Sequence, residues 1–140
     1  MEVVVNYVAV LLASVASMIV GFLWYSPMLF GNIWAKLKGY TSQSLKVEQK
    51  KMGKYYLISF VLALLTAYLL SHVMMMSLAF YNHGIMQTAL SSAFFMWLGF
   101  VMPVQVTSQI FGEKKWKLLL IDSGYQLVSL LFMGIVIGLM

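Results

Sequence analysis

A chain of 140 residues that is 62% hydrophobic and only 9% charged has too little polar surface to enclose a soluble globule, and it reads as an integral membrane protein. Its formal charge of +5 rests on nine lysines; they flank apolar runs, so attraction to anionic headgroups, at about 1 kcal/mol per residue, accounts for them without nucleic acid. The absence of cysteine excludes disulfides and thiolate metal centres.

Four apolar stretches follow one another: about Val3 to Tyr25, Tyr55 to Phe80, Met86 to Phe111 and Leu118 to Met140. Each approaches or exceeds the roughly 20 residues that a helix needs to cross a hydrocarbon core of about 30 Å. Without water at that depth, each stretch must satisfy its own backbone groups, and the short alternating strands of a barrel do not occur. The predicted fold class is all-α: a polytopic membrane protein with four transmembrane helices in an antiparallel bundle and a short cytoplasmic interfacial helix between the first and second spans. Residues 1–140 make a single transmembrane domain.

Met1-Glu2 ahead of the first span lacks the basic region of a signal peptide, so that helix is expected to be retained. Ser14, Ser17 and Gly21 put small residues along one side of it. The next connection, Ser26 to Lys54, is the long one. Ser26 suits a helix cap and Pro27 a first helical position; Phe30, Ile33, Trp34 and Leu37 then recur at helical spacing, with Lys36 and Lys38 off that face. This pattern predicts a helix along the membrane surface, with Trp34 at headgroup depth. Trp24, Tyr25, Ser26, Pro27 and Trp34 form a candidate interfacial turn. Gly39-Tyr40 ends the helix, and Thr41, Ser42 or Ser44 caps a second one that pairs Glu48 with Lys51 and runs across Gly53 into the second span.

Cytoplasmic loops are enriched in lysine and arginine. The clusters Lys36 to Lys54 and Lys114 to Lys117 therefore place the first and third connections in the cytoplasm and both termini outside. The turn Tyr81-Asn82-His83-Gly84 carries no lysine, as that alternation requires. In the second span Ala63, Ala67 and Ser71 repeat the small-residue spacing. In the third, Pro103 removes one helix hydrogen bond and predicts a kink that frees a carbonyl near Gly99. A faint internal echo pairs Gly21, Pro27, Gly31 and Trp34 with Gly99, Pro103, Gly112 and Trp116. The fourth span ends in a G-x-x-x-G, Gly134 and Gly138, a candidate helix-packing face.

Asp122 is the acid placed within a span, where ionisable side chains face a bundle interior or a cavity. Tyr125, Gln126 and Ser129 share its helix face, and Gln105, Ser108 and Gln109 approach from the third span. Asp122, Gln126, Gln105 and Gln109 form the candidate polar site. Lys114, Lys115 and Lys117, about one or two turns away, stand ready to neutralise the carboxylate. His72 and His83 lack a second ligand at metal spacing, and the run Met74-Met75-Met76 suits packing better than copper. No nucleophile with a base, phosphate-binding loop or haem pair is visible. Catalytic residues, metal and cofactor are all expected to be absent.

Trp24-Tyr25-Ser26-Pro27, Leu29-Phe30-Gly31, Trp34, Gly99-Phe100-Val101, Trp116-Lys117 and Asp122-Ser123-Gly124-Tyr125-Gln126-Leu127-Val128 with Gly134 together resemble the domain-of-unknown-function family numbered 1761 over nearly the whole chain. The resemblance implies a bacterial, four-span inner-membrane protein and supplies no activity. The expected function is non-enzymatic: association with itself as a homo-oligomer or with a larger membrane-protein complex, and contact of Lys36 to Lys54 with anionic lipid headgroups. The alternative is a small transporter or channel with a polar path around Asp122, Gln126, Gln105 and Gln109. An enzyme acting on lipid or quinone is a third reading, for which no acid/base pair is visible.

Overall fold

A computed structural model describes residues 4–140; Glu2 and the expected start of the first span at Val3 lie outside the described residues. Every regular element among them is helical: α1 (Tyr7–Trp24), α2 (Gly31–Lys38), α3 (Ser42–Lys50), α4 (Gly53–Tyr81), α5 (Ile85–Met96), a π-helical turn (Trp97–Val101), α6 (Met102–Ile110) and α7 (Trp116–Leu139). Four helical segments are long and apolar enough to cross a membrane. They are α1, α4, the 26-residue run Ile85–Ile110 and α7.

α1 packs against α4 and α7, and α5 packs against the same two helices from the other side. Their order around the bundle is therefore α1, α4, α5, α7. The centre is built from small side chains: Ala13, Ala67, Ala89 and Ala93 are fully buried, with Ser14 and Ser71 beside them. Large aliphatics point outward, and Leu57, Val61, Leu65 and Leu69 of α4 are each more than half exposed. A soluble protein buries such residues. The inverse distribution fits a lipid surround, where association rests on close backbone approach rather than on hiding leucine from water.

The small-residue faces read from the sequence lie at these contacts. Ser14 and Ser17 of α1 and Ala63, Ala67 and Ser71 of α4 are buried. A Cβ on Gly134 would stand 3.0 Å from the Ala89 carbonyl oxygen, and one on Gly138 would meet Ala89 and Ile85 at ordinary contact distance. The G-x-x-x-G is thus filled by α5 of the same chain, and its glycines are not a free surface. Gly134→Val is expected to force α5 and α7 apart and destabilise the fold by about 1–3 kcal/mol; Gly138→Ala, with room to spare, is expected to have little effect. Unfolding curves of the two variants in mild detergent check the contrast.

At the end of the bundle opposite the α4–α5 turn, the ring of Phe22 meets that of Tyr56 edge-on at 5.3 Å. There the chain departs from three local expectations. Ser26 does not cap α2: its hydroxyl donates back to Leu23 O at 2.7 Å, and α2 starts at Gly31 after a turn tied by Phe30 N–H to Trp24 O and Gly31 N–H to Ser26 O, both 3.0 Å. Pro27 accordingly sits within this turn rather than at a helix start. Second, α3 does not run into α4. It ends at Lys50, and Lys51 and Met52 intervene, because α3 buries none of its side chains whereas α4 is the longest apolar helix. Third, Glu48 makes no ion pair with Lys51; the ion pair among the described residues joins Lys115 to Glu113 at 2.8 Å.

Two other local signals are realised, and the kink expected at Pro103 is replaced by a π turn. Gly39, with φ of 80°, ends α2 in the left-handed conformation that glycine adopts without a Cβ penalty. Tyr40 N–H then reaches Ala35 O at 2.9 Å, a Schellman-type closure. Thr41 caps α3 in a reciprocal box with Ser44. The irregularity expected near Pro103 is a π turn one turn earlier, where Met102 N–H reaches Trp97 O, five residues back. A widened turn absorbs the missing donor without breaking the span.

Candidate functional site

The polar face of α7 begins at Asp122, and its partner is aromatic. The Tyr25 hydroxyl donates to Asp122 Oδ1 at 2.6 Å. Tyr25 closes α1, its N–H bonding Gly21 O at 3.0 Å, which aims its ring at α7. Residues on either side of Asp122 are held in the same way. The Trp24 indole N–H donates to Ile121 O at 3.0 Å, and that of Trp97, in the π turn, donates to Ser123 O at 2.9 Å. Three successive residues of α7 are therefore gripped by three aromatic side chains from two other spans. Gly124 makes room for this, since a Cβ there would stand 3.1 Å from the Trp24 ring.

The grip continues outward through rings. Tyr25 meets Tyr125 at 5.3 Å and Trp34 at 5.6 Å, both edge-on, and Trp34 stacks with Tyr40 at 5.7 Å. Lys38 Nζ stands 5.5 Å from the Trp34 ring centre, a cation–π contact that anchors the end of α2. Lys115 adds a second tie: its ammonium donates to Leu37 O in the last turn of α2 at 2.6 Å, where a cation complements the helix dipole. The lysine-bearing end of α2 and the lysine-rich α6–α7 turn thus meet at one end of the bundle. Lys115 also holds the Glu113 carboxyl below its usual pKa, through a hydrogen bond and its charge. That carboxylate is mostly exposed, so the pair adds little stability.

The four candidate polar residues have different partners. Asp122 faces Tyr25, and no lysine neutralises it; the ammonium expected there, Lys115, turns to α2 and Glu113. Gln109 organises the α6–α7 turn, its Oε1 accepting from Lys115 N–H at 3.0 Å and its carbonyl from Lys114 N–H at 3.1 Å. Gln105 Oε1 is buried without a protein partner. Gln126 lines a cleft of about 210 Å³ among α1, α4 and α7, together with Ser59, Thr66 and Tyr125. At its floor Ser17 and Ser129 share a 2.6 Å hydrogen bond.

Of the candidate turn, Trp24, Tyr25 and Trp34 belong to the aromatic grip, whereas Ser26 and Pro27 shape the backbone beneath it. Trp97 was not singled out from the sequence; an indole in the middle of an apolar span is the signal that finds it, because its N–H needs an acceptor in lipid. His72 Nε2 is buried without a partner, its ring edge-on to Tyr68 at 4.7 Å. Among the described residues no three of His, Cys, Asp and Glu come together. The sequence echo is not reproduced in contacts, for Gly21 packs under Tyr125 while nothing lies within 4 Å of a Cβ on Gly99.

No curated protein and no solved structure matches the chain significantly. A family model described as a protein of unknown function, DUF1761, matches residues 8–138, and a match of that extent establishes that the chain belongs to the DUF1761 family.

Proposed function

We propose that this chain is a non-enzymatic protein of the bacterial cytoplasmic membrane that crosses it four times in an antiparallel bundle, termini outward, and presents a fixed lysine-bearing platform to the cytoplasmic leaflet. α2 lies along the interface, its Trp34 and Tyr40 at headgroup depth. The platform binds anionic headgroups and, through them or beside them, a second membrane protein or another copy of the chain. The observation that carries this reading is the bond from Lys115 to Leu37 O, which joins the lysine-rich helical segment to the lysine-rich turn. Support also comes from how the other polar groups are used: Asp122, both indoles and Gln109 each hold one segment against another.

Native mass spectrometry of the protein released from nanodiscs of mixed anionic and zwitterionic lipid tests it. Anionic lipid is expected to be retained preferentially, and the preference is expected to vanish when Lys36, Lys38, Lys46 and Lys50 are replaced by glutamine. Equal retention of both lipids by the parent protein contradicts the platform, and a strictly monomeric mass without partner protein contradicts the association.

A further inference from the structure

A second, larger recess lies at the other end of the molecule. It is a groove of about 540 Å³ between α4 and α5, bounded by Val73, Ser77 and Tyr81 on α4 and by Gln87, Ser91 and Phe95 on α5. That volume falls within the range of small-molecule sites. The groove is unusual for its setting, because most of this chain's outer surface is aliphatic or aromatic. Within it Ser91 donates to Thr88 O at 3.3 Å, while the side chains of Ser77, Gln87 and Ser92 line the recess and no side-chain hydrogen bond of theirs occurs among the described residues. Ser77 and Gln87 stand within about a turn of the helix ends and can meet a polar head at the interface, whereas Ser92 lies about two turns into α5, where a polar group without a protein partner takes one from outside.

The lining is graded along the groove. Tyr81 and His83, stacked at 5.8 Å, stand at the mouth beside the α4–α5 turn. The hydroxyls and the Gln87 amide follow, and Phe95 and Met96 line the end farthest from the turn, where the Phe95 ring is open to the surroundings. No lysine, arginine, aspartate or glutamate lines it, so an ionic head would find no fixed counter-charge beyond the His83 imidazole at the mouth. A neutral head that both donates and accepts hydrogen bonds matches the hydroxyl and amide zone, and a hydrocarbon tail matches the far end.

We propose that the α4–α5 groove binds an uncharged amphiphile of the bilayer, one carrying hydroxyl or carbonyl oxygens on a hydrocarbon chain. Ser77, Gln87 and Ser92 hydrogen-bond the head, and Phe95 and Met96 receive the tail. Two sources share this chemistry, neutral glycerolipids and isoprenoid quinones. The site lies away from the lysine platform and does not depend on which side of the membrane that platform faces.

The test is photolabelling of the intact protein in zwitterionic nanodiscs with a diazirine-bearing monoacylglycerol, the labelled residues being mapped by mass spectrometry. Saturable labelling within residues 73–96 is expected, competed by unlabelled monoacylglycerol or by a short-chain prenylquinone, whichever is the better ligand, and not by the corresponding ionised fatty acid. Ser77→Leu and Gln87→Leu, two partly accessible positions, are each expected to weaken binding about tenfold, the loss of roughly one hydrogen bond plus occlusion. Gln126→Leu, in the other cleft, is expected to leave it unchanged. Melting curves identify any variant that fails to fold, and the remaining one then decides. Labelling that never saturates, that spreads over the lipid-facing leucines, that the fatty acid competes equally, or that survives the substitutions in folded protein overturns the assignment.

Discussion

Gly31→Ala is expected to leave little folded protein. A Cβ at this position would run into the Tyr25 carbonyl oxygen and lie 2.8 Å from both the carbonyl carbon and oxygen of Ser26. These atoms are backbone, so no side chain can swing aside. The backbone there is also tied down, by Leu29 N–H to Ser26 O at 3.1 Å and by the bonds from Phe30 and Gly31. Relief requires moving residues 24–26, which carries the Trp24 indole from Ile121 and the Tyr25 hydroxyl from Asp122. The expected loss therefore lies at or above the upper end of the usual overpacking penalty, about 3 kcal/mol. Gly53→Ala is the matched comparison, since nothing lies within 4 Å of its Cβ and, at the first position of α4, alanine is expected to be neutral or slightly stabilising. Thermal unfolding in mild detergent should separate the two by many degrees; an unshifted midpoint for Gly31→Ala would rule out the turn as described.

The second large effect concerns the hydrogen bond between Tyr25 and Asp122. Tyr25→Phe keeps the ring contacts with Trp34 and Tyr125 but withdraws the donor from a carboxylate. Hydrogen bonds to charged groups contribute about 1.5–3 kcal/mol in general, whereas side-chain bonds between membrane helices average about 0.6 and reach about 1.7 kcal/mol. The Tyr25–Asp122 bond belongs near the top of the second range, being short and partly buried. Tyr25→Phe and Asp122→Ala are each expected to destabilise by about 1–2 kcal/mol, and the double variant by clearly less than their sum. Asp122→Asn retains an acceptor oxygen and is expected to be the mildest of the series. Reversible unfolding in mixed micelles gives the coupling energy, and strictly additive losses would show that the two groups do not interact.

Much of the fold was legible because its signals are local. Span lengths, the alanine and serine faces, the Gly39 stop and the Thr41 cap each depend on residues within a turn or two of one another. The site was legible only in part. Asp122 stood out as a lone intramembrane acid, yet its partner lies 97 residues away, and nothing local distinguishes a tyrosine that anchors to headgroups from one that bonds a neighbouring helix. Proximity in sequence favoured the lysines of the α6–α7 turn, but the Lys115 ammonium points toward α2 instead. The G-x-x-x-G announced a packing surface without saying that α5 fills it. The α4–α5 groove was invisible for a related reason: Ser77 and Gln87 become neighbours only when the two helices are set side by side, and each alone is an ordinary polar residue near a helix end.

In the proposed topology both lysine clusters face one side of the membrane and the α4–α5 turn faces the other. Because the chain has no cysteine, single cysteines at Ser42, Lys114 and His83 are clean probes. Labelling with a membrane-impermeant maleimide in right-side-out and inverted vesicles should mark Ser42→Cys and Lys114→Cys only in inverted vesicles, and His83→Cys only in right-side-out ones. Labelling of Ser42→Cys and Lys114→Cys from opposite sides, or of His83→Cys from the same side as both, would rule out that topology.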